Sequence, residues 1–211
     1  MLFRTAWRGQ RVDADLVPRS GPVLVVANHL GFLDGPFVFA MVPRPTHFII
    51  KKQTFSGPIG ALMEGVGQIP LDRTVADRTA LGSALAVLQG GGAVGMFPEG
   101  TRGRGDVRAI HGGAAWLALQ IGCPVVPVAC LGTRTTGDGR AAIPAARARM
   151  LAVFGAPVLL RPDDSLPGRD RRRQATEQLR VALHDHVMAS VARTGIPLPD
   201  DELPPAPDAG R

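Results

Sequence analysis

Residues Pro22–Ala27 (PVLVVA) run directly into Asn28-His29-Leu30-Gly31-Phe32-Leu33-Asp34, and this junction decides the fold. Six apolar residues without a polar break, three of them valine, have the pattern of a strand buried on both faces. A polar turn follows, and Leu33–Met41 then reads as a short helix. Strand, turn and helix in succession form the repeating unit of an α/β domain. In such domains ligands bind beyond the carboxyl ends of the strands.

The same alternation continues in both directions. Strands are predicted at His47–Ile50, Gly67–Leu71, Ala93–Phe97, Pro124–Leu131 and Met150–Phe154. Helices are predicted at Pro58–Glu64, from Thr74 through Leu81, Leu85 and Leu88 to the Gly90–Gly92 stop, and at Gly113–Ile121. A last one, Asp170–Ala192, carries Leu179, Leu183, Val187 and Val191 on one stripe. The expectation is one α/β domain, residues 1–194, with a largely parallel central sheet flanked by helices. Residues 195–211 are rich in proline and acid, which predicts a disordered tail outside the fold.

Charge is unevenly placed. The chain of 211 residues carries +6, yet residues 195–211 carry −3, so the body carries +9. A body this basic favours anionic lipid, phosphorylated substrates or nucleic acid. Aromatics are 5% and tyrosine is absent, which leaves few platforms for stacking single-stranded bases and weakens the nucleic-acid reading. No segment reaches the ~18 apolar residues of a membrane span. The N-terminal Met1–Arg8 mixes apolar and basic residues, and suits either a membrane surface or a first edge strand through Trp7. Cys123 and Cys130 lie in or beside an apolar run without metal-ligand spacing, and read as buried thiols in a reducing compartment.

Three polar turns close apolar strands. In the first, His29 has the pKa range of a general base, and Asp34 is a carboxylate able to hold its tautomer. Their five-residue separation suits no regular helix face, so a turn at Gly31 has to bring them together. His-x4-Asp alone is common and equally fits a helix cap. In the second, Phe97-Pro98-Glu99-Gly100-Thr101-Arg102-Gly103, backbone amides with Thr101 and Arg102 suit a phosphate. Glu99 suits orienting an arginine or meeting a hydroxyl. In the third, Gly67–Arg73, the Arg73 guanidinium suits bidentate phosphate binding. A fourth stretch, Val125-Val126-Pro127-Val128, reads as a buried strand with Pro127 at an edge or irregularity. His47, His111, His184 and His186 carry weaker signals.

Taken in order, NHLGFLD, GQIPLDR, FPEGTRG and VVPV resemble the four sequence blocks of the 1-acylglycerol-3-phosphate acyltransferase family, from about Gly21 to Val128. The resemblance implies His29 as catalytic base and Asp34 as its partner. It implies Arg73 on the acceptor phosphate, with Glu99, Gly100, Thr101 and Arg102 shaping the acceptor site. The reaction implied moves an acyl chain from acyl-CoA or acyl-carrier protein, as co-substrate, to the sn-2 hydroxyl of 1-acylglycerol-3-phosphate, a lysophospholipid, giving phosphatidic acid. It implies no cofactor and no metal, and a peripheral place on an anionic membrane surface at the cytoplasmic face. Gly31 stands where the family often has serine, and His111 lies in a region where it usually has lysine. Two other readings remain at this point: transfer to another lysolipid or glycolipid, and a non-enzymatic basic protein that binds membranes.

Overall fold

A computed structural model describes residues 2–72, 78–139 and 141–201. Seven strands form one sheet: β1 (Arg8–Val12), β2 (Val23–Ala27), β3 (Thr46–Lys51), β4 (Ile69–Leu71), β5 (Ala93–Met96), β6 (Val125–Leu131) and β7 (Arg149–Phe154). Their order across the sheet is β1-β7-β6-β2-β5-β3-β4. β2 to β6 all run parallel, β7 is antiparallel to β6, and β1 is parallel to β7. The largely parallel sheet read from the sequence is therefore present. The bounds of β1 were not legible, because RGQRV at a sheet edge has no apolar pattern.

Six helices accompany the sheet: α1 (Leu2–Thr5), α2 (Asp34–Met41), α3 (Gly57–Gly65), α4 (Arg78–Gln89), α5 (Gly113–Ile121) and α6 (Gly168–Thr194). β2 shows why both sheet faces need cover. Leu24 and Val26 pack with Leu88, Leu117, Leu179, Leu183 and Val187 of α4, α5 and α6. Val23, Val25 and Ala27 face the other way, onto Phe3, Phe37 and Val38. Burying apolar side chains on both sides of one strand is the main stabilising term here, at ~1.5–3 kcal/mol for each fully buried Val or Leu. The helix expected from Thr74 is described from Arg78; its predicted start lies outside the described residues.

Two expectations change and a third narrows. The edge strand begins at Arg8, not within Met1–Trp7: α1 precedes it, Phe3 is buried, and Trp7 donates its indole N–H to the Pro144 carbonyl at 3.0 Å. Of the edge or irregularity expected at Pro127, the structure shows the irregularity: the antiparallel register slips by one residue between Val128–Phe154 and Val125–Val158. Pro127 lies in β6 between β2 and β7, one residue before β7's last pairing, Val128 with Phe154, and its carbonyl accepts from Gly155 N–H at 2.8 Å. The missing proline N–H therefore falls where the β7 ladder has already stopped. Finally, the described part of the tail is ordered on the body. Ile196 and Leu198 pack against the core, and Asp201 pairs with Arg134 at 3.0 Å. Residues 202–211 lie outside the described residues.

Candidate active site

Because β2, β5 and β6 are parallel neighbours, the loops after Ala27, Met96 and Leu131 emerge along one edge of the sheet. His29 lies in the first loop and Asp34 opens α2. His29 Nδ1 meets Asp34 Oδ2 at 2.7 Å. The turn required by their spacing is built around that carboxyl. Oδ2 also accepts from the Leu30 N–H at 2.5 Å and the Gly31 N–H at 2.9 Å. Gly31 is needed for close approach: a Cβ there would lie 3.1 Å from the Thr133 carbonyl oxygen. That contact gives a physical reason for glycine where the family often has serine.

The His29 ring is 15% exposed, whereas Asp34 is fully buried. The imidazole stacks on Phe97, with centroids 4.4 Å apart. With Nδ1 on the carboxyl, Nε2 is the nitrogen left to take a proton. No hydrogen bond among the described residues engages it.

The loop after β5 approaches from beside this pair. Glu99 Oε1 accepts the His29 backbone N–H at 2.8 Å, and the His29 carbonyl accepts from Gly103 N–H at 2.9 Å. Burial pushes the Glu99 carboxyl up to about 8, and the nearby charges of Asp106 and Asp34 add to the rise against the lowering effect of the His29 N–H. Glu99 thus holds the histidine's backbone and, at neutral pH, is mostly protonated. Gly100 has φ +73°, and a Cβ there would fall 2.5 Å from the His111 ring. Thr101 is exposed. The Arg102 guanidinium lies 5.4 Å from the ring centre of Phe32, which is 48% exposed. Arg73 lies outside the described residues.

Sequence reasoning missed the supports behind this pair. Asn28, fully buried, extends the β2–β6 pairing with its side chain: Oδ1 accepts from Cys130 N–H at 2.7 Å and Nδ2 donates to Cys130 O at 3.2 Å. The Thr133 hydroxyl donates to Asp34 Oδ1, and the Cys130 thiol lies 3.5 Å from the same oxygen. Burial, with the Asp34 charge added, raises the Cys130 thiol well above its usual range, so it stays protonated, as expected of a buried thiol. Asn28 stood inside the quoted block; nothing in the sequence marked Thr133. The other histidines act as packing groups. His47, His184 and His186 each meet a backbone carbonyl, at 2.6, 2.7 and 2.9 Å. A cleft of about 360 Å³ lined by Leu119, Leu159, Leu160 and Arg161 sits at the amino end of β6, away from His29 and its partners.

A sequence model of the Acyltransferase family matches residues 10–131, more than half of the chain. The chain belongs to this family. The site loops after β2 and β5 and all of β6 fall inside the matched span. This acyltransferase is 26% identical over 165 residues to the 1-acyl-sn-glycerol-3-phosphate acyltransferase of Bacillus subtilis, covering 77% of this chain and 80% of that one. It is 35% identical over 111 residues to the lyso-ornithine lipid O-acyltransferase of Pseudomonas aeruginosa, covering 51% and 42%. It is 32% identical over 121 residues to a human 1-acyl-sn-glycerol-3-phosphate acyltransferase, the beta form, covering 55% and 44%. Several of these matches thus span half or less of the relative's length. The crystal structure of the 1-acyl-sn-glycerophosphate acyltransferase of Thermotoga maritima superposes with a TM-score of 0.62 at 23% identity, over 84% of this chain and 71% of that one, and so shares its fold. Family membership sets aside the non-enzymatic reading.

Proposed function

We propose that the protein moves an acyl chain from acyl-CoA or acyl-carrier protein to the sn-2 hydroxyl of 1-acylglycerol-3-phosphate, giving phosphatidic acid. The observation that carries the mechanism is the 2.7 Å contact between His29 Nδ1 and the buried Asp34, which leaves Nε2 as the nitrogen able to take a proton on a ring that is partly exposed. Nε2 takes the proton of the acceptor hydroxyl while its oxygen attacks the thioester carbonyl. The tetrahedral adduct collapses, the C–S bond breaks, and the imidazolium returns its proton to the leaving thiolate. Asp34 accepts the Nδ1–H throughout and offsets the transient positive charge. The thioester is already activated, so no covalent enzyme intermediate is needed.

Arg102, with Gly100 and Thr101 beside it, supplies cationic and backbone groups for an acceptor phosphate on the same edge of the sheet. Arg73, which lies outside the described residues, keeps the phosphate-binding role that the family resemblance implies. The Bacillus and human relatives are named for 1-acylglycerol-3-phosphate, which supports that acceptor. The Pseudomonas relative, named for a lyso-ornithine lipid, supports a second reading in which the acceptor carries no phosphate.

No helix of the described residues is long and apolar enough to cross a membrane. Contact with the bilayer is assigned instead to α3. Ile59 and Leu62 are 61% and 58% exposed there, Gly60 is the helix's one buried residue, and Lys51 and Lys52 precede it. An apolar surface beside basic side chains suits an anionic lipid surface, where each cation near the surface contributes ~1 kcal/mol.

The test is product analysis by mass spectrometry with acyl-CoA and a pool of lysolipids. The wild type is expected to give phosphatidic acid, and folded His29→Ala to lose ~10²–10⁴-fold in turnover. Normal turnover by that variant would remove His29 from the mechanism, and products formed only from phosphate-free acceptors would favour the second reading.

A further inference from the structure

We propose that Thr133 is a positioning residue for acyl transfer, its hydroxyl fixing the Asp34 carboxyl so that Oδ2 stays on the His29 imidazole. The inference rests on the reading of His29 as the base. Asp34 is anchored unequally at its two oxygens. Oδ2 is held by His29 Nδ1 and the Leu30 and Gly31 backbone N–H groups. Oδ1 receives the Thr133 hydroxyl and the Cys130 thiol at 3.5 Å. A thiol is a weak donor, so Thr133 is the one strong donor to Oδ1 among the described residues. The terminal torsion of an aspartate is soft. With one oxygen anchored, the carboxyl plane can swing; with both anchored, it cannot.

Thr133 can do this only if its own loop is rigid, and the loop after β6 is tied down on every side. The Asn28 amide bonds both backbone groups of Cys130. Arg134, the next residue, is buried, and its Nη1 reaches the Asp138 carbonyl at 2.9 Å and Asp201 Oδ2 at 3.0 Å. Asp200 lies beside this pair, with its side chain on the Thr136 hydroxyl at 2.7 Å and its carbonyl on Arg104 at 2.9 Å. Asp200 and Asp201, after α6, therefore strap the β6 loop to the β5 loop. Gly31, facing this loop, has no room for a Cβ that would not press on Thr133. The chain of support runs from Asp201 through Arg134 and Thr133 to Asp34, and from there to the base.

The experiment compares Thr133→Val, which keeps the shape and removes the hydroxyl, with Thr133→Ser, which keeps the hydroxyl; Thr133→Ala replaces the valine variant if that does not fold. Turnover is followed with acyl-CoA and 1-acylglycerol-3-phosphate. The His29 Nδ1 proton is followed by NMR in the full chain, its downfield signal assigned by its loss in His29→Gln. Thr133→Val is expected to lose on the order of tenfold in kcat, as for a hydrogen bond to a charged group, with acceptor KM unchanged and the Nδ1 proton signal broadened or lost. Thr133→Ser is expected to restore both. A valine variant with wild-type turnover and an intact Nδ1 signal overturns the proposal, as do equal losses in the valine and serine variants, which would mean packing and not the hydroxyl. Failure of the underlying mechanism looks different: folded His29→Ala would turn over normally, while the Nδ1 signal would still report whether Thr133 holds the pair.

Discussion

Two carboxyl groups touch His29, one at the ring and one at the backbone, and they are supplied with donors differently. Asp34 is fully buried, yet it accepts from two backbone N–H groups, an imidazole and a hydroxyl, with a thiol beside them. Glu99 is only half-buried, but the His29 N–H is the hydrogen bond it accepts, and burial pushes it up to about 8. The two acids differ in how many donors surround them. The well-supplied acid lies on the imidazole and the poorly supplied one on the backbone. One acts on the reacting ring, and the other on the loop that carries it.

The largest effect should come from breaking the first arrangement. Asp34→Asn keeps the shape but offers a neutral amide to the imidazolium that forms during transfer. Turnover is expected to fall by ~10²–10⁴-fold, with the protein still folding cooperatively. Steady-state kinetics beside a thermal melt measure both. A loss below about tenfold would mean that the carboxylate charge is not what supports the base.

Glu99 should show its difference in stability against pH. The folded protein holds the Glu99 proton up to about 8, whereas the unfolded chain releases it near 4.5. Between those values the folded state binds more protons, so stability falls as pH rises, and below 4.5 nothing is lost. Glu99→Gln keeps an oxygen for the His29 N–H and cannot ionise. Its melting temperature should match the wild type near pH 4.5 and exceed it increasingly up to about pH 8, above which the gap levels off at a stability difference on the order of a few kcal/mol. Parallel curves for the two proteins would show that the wild-type carboxyl titrates in its ordinary range.

The same contrast explains what could be read from the sequence. β2, β5 and β6 were legible because each is an apolar run closed by a polar turn. The His29–Asp34 pair was legible because the turn that joins them is local, with two of Asp34's donors within four residues of it. Thr133 and Cys130 were not, since they reach Asp34 across 99 and 96 residues, one from an ordinary-looking loop and the other from the end of β6. The tail misled for a related reason. Proline and acid dominate its composition, but in its described part, residues 195–201, Ile196 and Leu198 pack against the core and Asp201 finds an arginine 67 residues away. Average composition conceals such single anchors.

A smaller effect is expected at the turn that delivers Glu99. Gly100→Ala forces a side chain into a left-handed backbone position and against the His111 ring. The backbone term alone costs about 1–2 kcal/mol. If the turn shifts in relief, the Glu99 contact to His29 loosens and kcat falls modestly, read from kinetics and a melt on one preparation. A variant with unchanged melting and rate would show that the turn is more compliant than its geometry implies.

The smallest effect should appear at the outer end of the His29 loop. Phe32 faces outward beneath the Arg102 guanidinium, an exposed cation–π contact of ~0.5–1 kcal/mol. Phe32→Leu keeps an apolar side chain but removes the ring beneath the arginine. If Arg102 binds the acceptor phosphate, KM for 1-acylglycerol-3-phosphate should rise about two- to fivefold, the same energy expressed as binding, with kcat unchanged. An acceptor lacking phosphate should not respond. This is the reverse of the Asp34 variant, where kcat falls and binding stays. Together the two divide one seven-residue segment into an inner end that acts on the transferred proton and an outer end that holds the headgroup. A fall in kcat on changing Phe32 would erase that division and place the phenyl ring in support of the base.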